Sequence, residues 1–246
     1  MASTDGRVAR TPRSVRSDVS ERLWVLIVAG IPTGVLVAGV GSRLAMLTLR
    51  LTSSDAVVGV TSDDGFEIGR FTLGGTYSLL MLGAGVGVIG AAAYRAVQPW
   101  LLGPTWFRRL TVAAGSGAVV GSMLIHADGI DFRVLKPTWL AVGLFVALPA
   151  LFGAVIAVAV DRVSANVAEH GWWRWVLPTV LVVAFPPAIV VVGIAAVVLA
   201  AWVPVRRGLE STGGLPKAAR LGVRAAWLMI ALLGLAALVG DVRALA

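Results

Sequence analysis

Apolar residues in this chain gather into long uninterrupted blocks, and polar residues are confined to the gaps between them. A helix needs about 20 apolar residues to cross the hydrocarbon of a bilayer. Six stretches approach that length. They are residues 23–49, interrupted by Arg43; 73–94; 110–127; 139–160; 175–203, broken by Pro186 and Pro187; and 225–240, which is short and reaches further back if Arg224 snorkels. The pattern predicts an all-α polytopic membrane protein with about six transmembrane helices over residues 22–246. The polar, Arg-rich segment 1–21 in front of them reads as a disordered cytoplasmic tail. The apolar run behind it is too long for a cleaved signal peptide and no small-residue cleavage site closes it, so an uncleaved first span is expected.

Tryptophan and loop charge refine this topology. Trp24, Trp139, Trp175 and Trp202 fall at span ends, and Trp100 and Trp106 lie between spans two and three, as an aromatic belt at the headgroup level requires. Arg95, Arg108 and Arg109 follow span two, whereas Asp55, Asp63, Asp64 and Glu67 follow span one, which puts the N-terminus in the cytoplasm. The segment 204–224 disagrees: it holds Arg206, Arg207, Lys217, Arg220 and Arg224, yet six plain crossings place it outside. Either later loops obey the charge rule less well, or Pro186–Pro187 turns the fifth stretch back as a re-entrant hairpin. Six crossings are the favoured expectation.

Composition narrows the function classes. The chain is 58% hydrophobic and 14% charged, against about a quarter charged in soluble domains. It has no cysteine, which excludes disulfides, thiol nucleophiles and thiolate metal sites. The net charge of +8 sits beside apolar spans, so the expected partners are the bilayer itself, with anionic lipids at the basic tail, and not nucleic acid. No acidic residue falls within the six stretches, and His126 and His170 lie in loops on opposite sides. With no phosphate-binding, zinc-protease or nucleophile-elbow motif either, the chain reads as a non-enzyme without a cofactor.

Three features carry candidate roles. Gly30 and Gly34, Gly83 and Gly87, and Gly117 and Gly121 each put two glycines on one helix face, where backbones can approach closely. One such pair in each of the first three spans predicts a tight three-helix core, with spans four to six packed more loosely or against a partner. The segment 56–72 reads as a small extracytoplasmic β-hairpin turning at Asp64–Gly65, either a cap that binds a ligand or partner or a structured connector. An outer-face polar cluster is then expected from Arg43, Asp63, Asp64, Glu67 and Arg70, joined by His126, Asp128, Asp131 and Arg133 of the loop after span three. His126, Asp128 and Asp131 are metal-type ligands, but their spacing fits no dedicated motif and a polar turn explains them, so no metal site is expected. Arg43 is expected to snorkel or to pair with Asp63, Asp64 or Glu67. Asp161–Arg162 reads as a boundary marker.

Gly41–Ser42–Arg43, the stretch from Asp64 to Gly75, and Asp128 to Phe132 followed by Trp139–Leu140–Ala141 resemble a group of multipass membrane proteins of high-GC, actinobacterial-type bacteria. The resemblance covers roughly residues 1–160 and implies a bacterial plasma membrane and nothing catalytic; no functional residue is carried over from it. Two functions are compatible with all of this. One is an interaction or assembly component of the cell envelope, with a membrane-protein partner or a second copy of itself. The other is a channel or transporter for a small solute, favoured by the broken fifth stretch.

Overall fold

The computed structural model describes residues 15–53, 72–125, 136–166, 173–211 and 216–245. Among these, seven helices follow in order: α1 (Val15–Thr52), α2 (Leu73–Val97), α3 (Thr105–Leu124), α4 (Thr138–Ala165), α5 (Trp173–Ala184), α6 (Ala188–Ser211) and α7 (Lys217–Leu245). A short 3₁₀ turn, Gln98–Trp100, follows α2. By length and composition α1, α2, α4, α6 and α7 are each able to cross a membrane. The helices run past the apolar stretches, because backbone hydrogen bonding continues into the polar flanks. Thus α1 is already helical from Val15, where a disordered tail to residue 21 is expected, and Asp18 sits favourably in its first turn.

The expected hairpin is corrected. The described residues contain no strand. Residues 54–71 lie outside them, and Thr72, its last expected residue, is the N-cap of α2, its Oγ1 accepting from Gly75 N at 3.1 Å.

The count of about six crossings is corrected as well. We call the end of the bundle holding Val15, Val97, Thr105 and Ala165 the lower end, and the end holding Thr52, Leu73, Leu124 and Thr138 the upper end. The fifth stretch is two helices separated at Phe185–Pro186–Pro187. Val191, just after the break, packs 3.6 Å from where a side chain on Gly85 would begin, midway along α2. At the other end of α6, Arg207 Nε donates to Asp18 Oδ2 at 3.1 Å, in the first turn of α1. α6 therefore returns to the lower end, and α5–α6 is a hairpin whose turn sits near mid-height. The reason is chemical: neither Pro186 nor Pro187 has an N–H, so two successive rungs of the ladder are missing. The five helices that run from end to end are α1, α2, α3, α4 and α7. α7 runs upward beside α3, with Gly234 against Val119 and Leu238 beside Gly121.

The lower core joins Trp24 to Ile27, Ala29 and Ile31 of α1, Ala84, Val88, Ala91 and Tyr94 of α2, Ile156, Ala157 and Val160 of α4, and Ala188 of α6. A second cluster at the upper end joins Leu49, Ile125, Ala141 and Leu238. Within α1, Gly34–Val40 is a π-helical segment. It follows Pro32, which removes one rung, and it presents Gly34 and Gly39 to α2, where close backbone contact stabilises the widened turn.

Candidate functional site

The glycine pairs show how close packing is achieved. A Cβ on Gly30 would lie 2.7 Å from Gly87 O, and one on Gly83 would lie 2.7 Å from Gly34 O. Gly30 and Gly34 thus meet Gly87 and Gly83 backbone to backbone. Gly117 and Gly121 face α4 instead, near Ala150 Cβ at 3.1 Å and Val146 Cγ2 at 3.3 Å. The third pair does not join the first two: the centre of the bundle is α1, α2 and α4, and α3 is seated on α4. Gly153 of α4, which sequence spacing does not flag, returns the contact, since a Cβ there would meet Ser116 Oγ and Val112 O.

At the upper end Arg43 is 9% exposed. A Cβ on Gly75 would come within 2.7 Å of Arg43 Nη2 and 2.8 Å of Thr72 Oγ1, so the absent side chain at Gly75 is what makes room for the guanidinium. The other members of the expected polar cluster, Asp63, Asp64, Glu67, Arg70, His126, Asp128, Asp131 and Arg133, lie outside the described residues. The stems of their two loops are joined: Ser53 Oγ donates to Lys136 O at 3.1 Å and accepts from Lys136 N at 3.0 Å.

The densest polar site is at the lower end, around Asp161. Its Oδ1 accepts from Tyr94 Oη at 2.8 Å and from Gln98 Nε2 at 3.0 Å. Its Oδ2 accepts from Arg109 Nε at 3.2 Å and Nη2 at 3.0 Å. The carboxylate of α4 is therefore held by α2, the turn after it, and α3 together. Arg95 Nη1 adds longer contacts to Gln98 Oε1 at 3.5 Å and Ser164 Oγ at 3.4 Å. The Asp161 side chain is 19% exposed, so these charge-assisted bonds are only partly screened. The arrangement locks three end-to-end helices in register and leaves the surrounding guanidinium groups in excess of carboxylate.

In the sequence, Asp161–Arg162 reads as a boundary marker; the structure makes Asp161 the hub of this site instead. One signal could have found it: between residues 95 and 165 it is the lone acid at the end of the spans that carry Arg95, Arg108 and Arg109. The Asp18–Arg207 pair, 189 residues apart, had no such signal. Comparison with family models, with curated proteins and with solved structures finds no match to this chain, so its reading rests on its own geometry.

Proposed function

We propose that the chain is a multipass protein of the bacterial plasma membrane, with its lower end in the cytoplasm, and that it works as a non-enzymatic interaction or assembly component. Its partner seats against the turn between α5 and α6.

That turn is the observation that carries the reading. Val182 and Val183 carbonyls have lost their helical donors, because the residues four ahead are Pro186 and Pro187. Ala184 O loses its own, because Ala188 N donates to Phe185 O at 2.9 Å. Val183 is 69% exposed, and Ala184, Pro186 and Pro187 are exposed beside it. At mid-height such groups would face hydrocarbon, where each unsatisfied one costs several kcal/mol, on the order of a whole hydrogen bond. Irregular backbone at that depth is tolerated where protein covers it. A second membrane protein, or a second copy of this chain, supplies that cover. The orientation is supported by charge: Arg95, Arg108, Arg109, Arg206, Arg207, Lys217 and Arg220 all belong to the lower end.

The same turn favours a second reading, transport of a small solute, because broken helices also line water-filled paths. A photo-cross-linker at Val183, with Leu228 of α7 as a lipid-facing control at 62% exposure, separates them. Protein adducts at Val183 and lipid adducts at Leu228 support assembly. Water accessibility at Val183 without a protein adduct, together with solute flux in liposomes, supports transport and sinks the assembly reading.

A further inference from the structure

We infer that the lower end of the α3–α7 contact is a binding site for the phosphate of an anionic phospholipid, held between Arg108 and Arg224 with Arg95 and Arg109 beside it. The inference rests on the membrane reading but not on the partner proposed at the α5–α6 turn.

Helical register brings the two arginines together. Val119 of α3 meets Gly234 of α7, its Cα 3.0 Å from where a Cβ on Gly234 would be. Arg108 stands eleven residues before Val119, about three full turns, and so points to the same side. On α7, Arg224, Ala231, Leu238 and Leu245 recur at seven-residue intervals along the face that Leu238 turns to α3. Arg224 lies ten residues below Gly234 and Arg108 eleven below Val119, about 15 and 17 Å along their helices, so the two are nearly level. α7 also packs on the Gln98–Trp100 turn, which brings the α2 end to the same level.

Like charges on the adjoining faces of two helices repel, and an anion between them offsets that repulsion. Arg108 and Arg224 are both half-buried, and Arg224 Nε is fully covered with no hydrogen-bond partner among the described residues. Asp161 is committed to Arg109, Tyr94 and Gln98. Arg95 has only two long contacts to neutral oxygens. No described carboxylate pairs with Arg95, Arg108 or Arg224. Trp106, 66% exposed, stands beside the site in an edge-to-face pair with Phe107, as side chains at the headgroup boundary do. A lipid phosphate supplies acceptor oxygens to several guanidinium groups at once, and basic pockets between spans at the cytoplasmic face are where such headgroups bind.

The test measures lipid retention by native mass spectrometry, and the thermal midpoint, for the detergent-purified protein given phosphatidylglycerol, phosphatidylcholine or inorganic phosphate. Phosphatidylglycerol should be retained and should raise the midpoint, and phosphatidylcholine should do neither. Arg108→Gln with Arg224→Gln should weaken retention roughly thirty-fold, about five-fold per charge near the surface. Arg108→Lys with Arg224→Lys, which keeps the charge, should retain most of it, and Arg243→Gln at the upper end should leave it unchanged. A folded double-Gln variant that retains phosphatidylglycerol like wild type overturns the site. If the Gln variants do not fold, equal retention of the two lipids by wild type overturns it. Stabilisation by inorganic phosphate equal to that by phosphatidylglycerol overturns the lipid assignment. None of these outcomes bears on the Val183 cross-link.

Discussion

Glycine in this chain matters one residue at a time. Gly87 is opposed by backbone that cannot yield, Gly121 by the tip of Val146, and Gly193 by nothing within 4 Å. Substitution to alanine should therefore rank Gly87 as most destabilising, at the upper end of the ~1–3 kcal/mol range for overpacking, Gly121 as mild, and Gly193 as without loss. Thermal unfolding of the three variants in one detergent checks the order, and equal midpoints would remove the backbone contact from the account. Asp161 gives a second contrast. Asp161→Ala strips Arg109, Tyr94 and Gln98 of their acceptor at once and should cost about 2–4 kcal/mol, allowing for the partial exposure of Arg109. Asp161→Asn keeps an acceptor for Tyr94 and Gln98 and should lose about half as much. Losses of the same size would mean that the Arg109 pair carries the whole effect.

At the scale of elements the α5–α6 hairpin separates two topologies that composition leaves open. The chain has no cysteine, so single cysteines report cleanly. In sealed vesicles Arg16→Cys and Ser211→Cys should react with an impermeant maleimide from the same side, and Thr52→Cys from the other. Labelling of residue 211 from the side of residue 52 would restore a plain crossing. The hairpin is also tied at its base by Asp18 and Arg207, whose side chains are 23% and 35% exposed. A double-mutant cycle with Asp18→Asn and Arg207→Gln should give a coupling of about 1 kcal/mol, since a partly screened pair contributes little more. Additive losses would show that apolar packing of α6 on α1 and α2 holds the hairpin without help.

For the whole molecule, five end-to-end helices and one returning hairpin put Val15 and Leu245 at opposite ends. Reporters fused at residue 1 and residue 246 should score on opposite sides of the membrane, with residue 1 inside. Reporters on the same side would contradict both the traverse count and the return of α6. The same topology removes the conflict over segment 204–224, whose basic residues join Arg95, Arg108 and Arg109 at one end. Long apolar blocks, the proline break and the glycine pairs were legible in the sequence, because each depends on local composition or on the period of a single helix. Which helix each glycine pair meets, and which side α6 returns to, were decided only in the tertiary structure. So were the role of Asp161 in holding α2, α3 and α4 together, and the nearly level placement of Arg108 on α3 and Arg224 on α7. The physical reason is that helical period specifies which residues share a face but not which helix that face will meet. Lipid tails are as apolar as leucine side chains, so in a bilayer hydrophobicity does not rank the possible neighbours, and shape and a few charged contacts choose among them.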